Sequence, residues 1–196
     1  TEIELEGFEI QDGEVISAEE DYKISLTLKE GYEMPSRNNL DCACLFEVIG
    51  QMFEDLDDDA ILPKDLYGEL QVLFKDNPQK GFCKKIKELG RLRMEDFLLL
   101  VFFCHQLVNK DDDDIRFGQM EDCFTTQADY VVAKGRLRNS EHPLIIKKLI
   151  EHRCEDGIAD TSRYKLTEQT KRTLLEEMKL NAAEEKLADV IKANIK

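Results

Sequence analysis

A mainly helical α+β fold is what this sequence predicts, on three observations. Through the middle of the chain the apolar residues recur at helical spacing. Two stretches, "LIEHR" and "RYKLT", read as strands around the polar segment "CEDGIADTS". Between them in character stands Phe97 to Phe103, apolar nearly all round, as the most buried helix of a domain is. At 196 residues the chain buries roughly 70% of its unfolded surface, so neither metal nor disulfide is needed to hold it.

Taken in order, "DYKISLTLKEGY" puts Tyr22, Ile24, Leu26 and Leu28 on one face by strict alternation, and "EIELEGFEI" does so more weakly through Ile3, Leu5, Phe8 and Ile10. Both predict half-buried strands of an acidic β element over residues 1–38. After "EMPSRNN" the period becomes helical. Leu45, Val48, Ile49, Met52, Phe53 and Leu56 form one stripe, with Asn39 or Asp41 as the cap. "PKDLYGELQVLF" predicts a second helix with Pro63 in its first turn and Leu66, Leu70, Leu73 and Phe74 inward. A break at "KDNPQKG" precedes a short helix carrying Phe82, Ile86 and Leu89, which completes a helical segment over 39–92. "RMEDFLLLVFFCHQLVNK" is the central helix, "DDDDIRF" a loop entering a strand, and "GQMEDCF" one or two helical turns. "DYVVAKGRLRN" and "HPLIIKKLI" are helix-like with a break at Pro143, and Thr167 caps a last helix through "QTKRTLL".

The order from Arg93 onward is long helix, short strand, helix, helix, strand, turn, strand, helix. It is the order of a winged helix, a helix-turn-helix variant in which a two-stranded wing follows the recognition helix. Residues 93–180 are assigned to it, and 181–196, with Leu187, Val190 and Ile191 still at helical spacing, to the start of a helical linker toward a further module. The absence of an initiator Met at Thr1 and of a stop signal at Lys196 suggests a piece of a longer polypeptide.

"LIEHRCEDGIADTSRYKLTEQTKRTLL" resembles the wing of bacterial regulators, in which an apolar strand, a polar tip, a Y-x-L-T strand and a charged helix follow one another. Over a greater length, the acidic start, "RMEDFLLLVFFCHQLVNKDDDDI", "HPLIIKKLIEHR" and "YKLTEQTKRTLL" resemble the amino-terminal winged-helix region of bacterial AAA-family ATPases. That resemblance implies a non-catalytic recognition or regulatory domain, with ATP binding and hydrolysis in a module further along. No G-x-x-x-x-G-K-[ST] phosphate loop occurs here, so no ATPase residue carries over and no cofactor is assigned. The implied partner is another protein or the ATPase module of the same chain. The alternative is a DNA-binding regulator whose helix from Asp129 to Asn139 reads the major groove.

The charge distribution bears on that choice. Thr1 to Leu62 holds 18 acids and 3 bases, whereas Pro63 to Lys196 holds 24 of each, so the whole net charge of −15 belongs to the first third. An acidic region of this kind docks a basic partner, shields a basic groove, or simply keeps the chain soluble. Between Lys134 and Arg172 there are 10 bases and 6 acids. The candidate recognition surface comprises Lys134, Arg136, Arg138, Lys147 and Lys148 on the recognition element, and Arg153, Arg163 and Lys165 on the wing. A nucleic-acid reader would make its phosphate contacts there. Yet Glu141, Glu151, Glu155, Asp156 and Asp160 dilute the cations, and "LII" after Pro143 fills positions where a groove-reading helix carries polar side chains.

Other chemistries lack their patterns. Starting a calcium loop at Asp55 puts Ala60 where Gly is required and Leu66 where Glu is required; starting at Asp111 puts Ile115 at the third ligand. The cysteines and histidines lack paired C-x-x-C spacing, so neither zinc nor another metal is assigned. No G-x-S-x-G or H-E-x-x-H occurs, and His105, His142 and His152 have no catalytic partner pattern. The six scattered cysteines suit reduced core positions of a cytoplasmic protein. No run reaches the ~18 apolar residues of a membrane span.

Overall fold

In the computed structural model the described residues are 9–11, 14–16 and 40–178. The chain divides into two units, Thr1–Pro35 and Ser36–Lys196. In the first, β1 (Glu9–Gln11) pairs antiparallel with β2 (Glu14–Ile16), Ile10 opposite Val15. Of the apolar residues expected on the acidic β element only Ile10 falls in these strands. Ile3, Leu5, Phe8, Tyr22, Ile24, Leu26 and Leu28 lie outside the described residues, as do Asn39 and the expected linker at 181–196.

The second unit is mainly helical α+β. Its helices are α1 (Cys42–Asp57), α2 (Pro63–Asp76), α3 (Gly81–Glu88), α4 (Met94–Lys110), α5 (Gln127–Arg138), the single turn α6 (Pro143–Ile146) and α7 (Glu168–Leu174). Asp41 caps α1, its carboxylate accepting from Cys44 N at 2.7 Å. Pro63 opens α2, where its missing N–H removes nothing. Asn77 closes α2 from inside the protein: its amide donates to Leu73 O, and its Oδ1 accepts from Leu40 N, each at 2.9 Å. A fully buried side-chain amide with partners on both sides fixes the entry of the chain onto the core.

α4 is the centre, with every side chain from Asp96 to His105 buried. One side of it packs on α1 and α2, with Phe102 edge-on to Phe53 (centroids 5.5 Å) and Phe97 edge-on to Tyr67 (5.3 Å). His105 belongs to this layer. It stacks on Phe53 at 5.1 Å, its Nδ1 lies 2.8 Å from the Asn109 amide, and that amide also donates to Phe46 O at 2.7 Å. The Asn109 amide fills the space beside Gly50, where a Cβ would stand 2.6 Å from its nitrogen, so a side chain at residue 50 would have to push that amide aside.

Past α4 the chain turns at Asp111, in the left-handed region (φ 53°), and forms β3 (Ile115–Arg116). A 3-10 helix (Phe117–Cys123) then leads to α5 and α6. A three-stranded antiparallel sheet follows in the order β3, β5 (Ile158–Leu166), β4 (Ile150–Glu155). Tyr164, wholly buried, sits on β5 opposite Ile115 and His152, edge-on to Phe117 at 5.2 Å.

Two details differ from expectation. "HPLIIKKLI" forms one helical turn, because Lys148 takes a left-handed conformation (φ 56°) that ends it. Lys147 and Lys148 therefore lie in the turn after α6, off any recognition helix. The polar tip between the strands is only two residues. Asp156 (φ 52°) and Gly157 (φ 80°) make the doubly positive turn whose twist matches that of a hairpin, so the strands run much closer to the tip than "LIEHR" and "RYKLT" alone suggest.

Candidate recognition surface

The surface expected to do the recognising is built on α5, the turn after α6, and the hairpin. Thr126 caps α5, accepting from Asp129 N at 3.2 Å. Tyr130, Ala133 and Leu137 face the core at helical spacing, and the Tyr130 hydroxyl donates to Phe117 O at 3.1 Å. That orientation turns Val131 and Val132 outward, 57% and 62% exposed. The cations expected on this helix flank them. Lys134 Nζ lies 5.2 Å above the Phe117 ring and the Arg138 guanidinium 5.4 Å from the same ring, so both stems lie along the protein and both charges face an aromatic quadrupole. Arg136 reaches back to Glu141 O at 3.4 Å.

α6 is held from within. His142 caps it, Nδ1 accepting from Leu144 N at 3.3 Å, which places its ring proton on Nε2, 3.3 Å from Asp96 Oδ1 in the first turn of α4. Both side chains are buried, and Arg93 approaches the other Asp96 oxygen at 3.4 Å from solvent. Burial depresses the His142 pKa below its ordinary value despite the pull of Asp96. Past the turn, Lys147 Nζ donates to Leu89 O at 3.3 Å, tying it to the end of α3, and Lys148 contributes its backbone: its carbonyl accepts from Thr167 Oγ1 at 2.9 Å.

On the hairpin two of the three cations, Arg163 and Lys165, are paired with acids. Between His152 and Arg153 the register slips, because His152 faces Tyr164 while Arg153 faces Asp160. The extra residues of β5 bulge outward. Asp160 pins the bulge by accepting from Ser162 N (2.9 Å) and Ser162 Oγ (2.7 Å), and the Tyr164 hydroxyl donates to Thr161 O at 2.6 Å. The bulge aims Arg163 sideways between two carboxylates. Its Nε donates to Asp114 Oδ1 at 2.8 Å, its Nη2 to the other Asp114 oxygen, and its Nη1 to Glu155 at 2.8 Å. Lys165 pairs with Glu151 across the strands at 3.2 Å, and Lys171 joins Asp113 (2.6 Å) to Glu168 (2.9 Å). Arg153, half-buried, and Lys148, exposed, have no ion-pair partner among the described residues.

The structure thus brings the eight expected cations onto neighbouring elements but occupies most of them. Of the acids paired with Arg163 and Lys165, Glu151 and Glu155 were visible in the sequence as dilution of positive charge, whereas Asp114 was not, because it is 49 residues from Arg163. Sequence reasoning also passed over a denser basic stretch. Residues 75 to 93 hold seven bases against two acids, and they line a different part of the surface, between α2 and α3. Among the described residues no three His, Cys, Asp or Glu side chains assemble as a metal site requires, and no helix is long and apolar enough to cross a membrane. No protein-family model matches the sequence, and no curated protein and no solved structure matches it.

Proposed function

We propose that this chain is the recognition module of a larger AAA-type ATPase: a non-catalytic winged-helix domain that binds a protein partner through α5 and its wing. Three features support the winged-helix reading. The elements from α4 to α7 follow the winged-helix order, the first short strand pairs with the second wing strand, and a two-residue turn closes the wing. The link to an ATPase rests on the sequence resemblance alone.

The observation that carries protein over nucleic acid is the state of the wing and helix side chains. Arg163 and Lys165 are neutralised by Asp114, Glu155 and Glu151, while α5 offers solvent Val131 and Val132. A phosphate would have to displace carboxylates already bonded to the cations, whereas an apolar partner surface gains by covering the valines. Ile158, 75% exposed beside the hairpin turn, extends the apolar character to the wing tip.

The test is fluorescence anisotropy of a labelled random-sequence DNA duplex titrated with the protein across a salt series. No binding is expected at ionic strengths of about 0.15 M. Binding whose log–log salt slope is a multiple of about −0.9 per phosphate would overturn the reading in favour of the DNA-binding regulator. The ATPase link is tested separately by reading the parent coding sequence for a strand followed by a Gly-rich loop ending in Lys-Ser or Lys-Thr; a stop codon soon after Lys196 removes it.

A further inference from the structure

One concavity among the described residues lies away from the hairpin. It is an open groove of about 1010 Å³ between α2, α3 and the loop leading to α4. Its floor is apolar: Tyr67, Phe74, Ile86 and Leu92, closed at the back by Phe97 of α4. Val72, 57% exposed, stands at its edge. Its rim carries Lys75 at the end of α2, Lys84 and Lys87 one turn apart on α3, and Arg91 on the loop. All four are exposed, and none has an ion-pair partner among the described residues. The neighbouring bases are different, since Lys85 is paired with Glu88 and Arg93 with Asp96. The one rim acid, Glu88, is thus already engaged.

We propose that this groove binds an acidic amphipathic helix of a partner protein, apolar side chains against the floor and carboxylates on the rim cations. The site is independent of the wing reading, and its test does not involve α5 or the hairpin.

The chemistry of the groove selects among occupants. Phosphates of a nucleic acid would satisfy the cations but leave the apolar floor in water. A single-headed amphiphile would engage one cation, whereas these four come from three separate segments around the mouth. An extended peptide needs a sheet edge for its backbone N–H and C=O groups; the walls here are two helices and a loop, so those groups would be desolvated without partners. A helix satisfies its own backbone and presents apolar side chains at i, i+3, i+4 and i+7, the spacing that fills a groove between helices. Carboxylates beside that stripe would meet Lys75, Lys84, Lys87 and Arg91, and their attraction would raise the association rate at low salt.

The experiment is selection from a display library of random peptides of about four helical turns against the whole chain, with the same selection against K84E/K87E and, separately, V72D. Circular dichroism and thermal unfolding confirm that each variant folds as the parent does. The expected outcome is enrichment of sequences combining Leu, Phe or Met at helical spacing with Asp or Glu beside them. Their affinity should fall about tenfold or more on K84E/K87E, fall likewise on V72D, and weaken as salt rises. Enrichment of basic or purely polar sequences overturns the proposal, and so does undiminished binding of the selected peptides to K84E/K87E. A sedimenting dimer of the chain that K84E/K87E dissolves also overturns it, assigning the groove to a second copy.

Discussion

The hairpin face and the α2–α3 groove both owe their basic character to lysines and arginines close together in sequence, yet the two groups of cations live in different states. On the hairpin, Arg163 sits between Asp114 and Glu155, Lys165 against Glu151, and nearby Lys171 against Asp113 and Glu168. At the groove, Lys75, Lys84, Lys87 and Arg91 stand exposed around an apolar floor. The first arrangement builds a scaffold, because each cation stitches β5 or α7 to the Asp-rich turn after α4 or to the facing strand. The second leaves charge available for another molecule. A basic residue in a sequence signals a binding surface only once its internal partners are known.

Both faces hang on α4, so the most damaging perturbation is one that loosens it. His105 stacks α4 on α1 through Phe53, and His142 at the start of α6 faces Asp96 of α4 on the hairpin side. Burial lowers the His105 pKa to about 4, and lowers that of His142 as well. The folded chain therefore binds fewer protons at these sites than the unfolded chain once pH drops below the ordinary histidine value near 6.5. Stability is fully present above that value and is lost as pH falls from about 6.5 to 4, by about 3 kcal/mol from His105 alone. Urea unfolding at a series of pH values measures this. Replacing His105 with Gln should flatten the slope over that window, and an unchanged slope would show that the ring is not held neutral by burial.

Next in size is the loss of Arg163. R163A leaves Asp114, only partly exposed, without its counter-charge and should cost about 1–3 kcal/mol in urea unfolding. K84E/K87E, which removes no internal partner, should stay within about 0.5 kcal/mol of the parent. Equal costs for the two variants would erase the distinction between paired and available cations.

The hairpin turn comes third. Gly157 holds φ 80°, so G157A should destabilise by about 1 kcal/mol through backbone strain alone, since a Cβ there meets open space. Among the losses of an internal contact, the smallest belongs to K165A. The Lys165–Glu151 pair is partly solvated and should contribute about 0.2–1 kcal/mol, a loss that shrinks further in high salt. A loss as large as that of R163A would mean the strand pair is held chiefly by that ion pair.

The helical frame was legible because its signals are local. The stripe from Leu45 to Leu56, Pro63 at the start of α2, the unbroken apolar run of α4 and Thr167 ahead of α7 each act within a few residues, and each element formed where they stand. The two hairpin strands were legible by position, but their length was hidden in the Asp156-Gly157 turn. The reach of the helix after Pro143 was overestimated because nothing local marks Lys148 as left-handed. That conformation lets the Lys148 carbonyl meet Thr167 and Thr170, 19 and 22 residues away.

For the candidate recognition surface the balance reverses. The eight basic positions could be named from the sequence, but their state depends on Asp114 reaching Arg163 across 49 residues and on a bulge set by Asp160 and Ser162. The groove stayed hidden for the same reason. The cations from Lys75 to Arg91 are contiguous enough to count, but only the packing of α2 against α3 and α4 turns Tyr67, Phe74, Ile86 and Leu92 into a floor beneath them. Between residues 40 and 178 the sequence by itself determined most of which segments are helix or strand and which helix is central, because hydrophobic period, caps and turn residues act over short distances. Tertiary structure alone decided which charges are paired and which face solvent, because ion pairing and concavity depend on distances between residues that the chain keeps far apart.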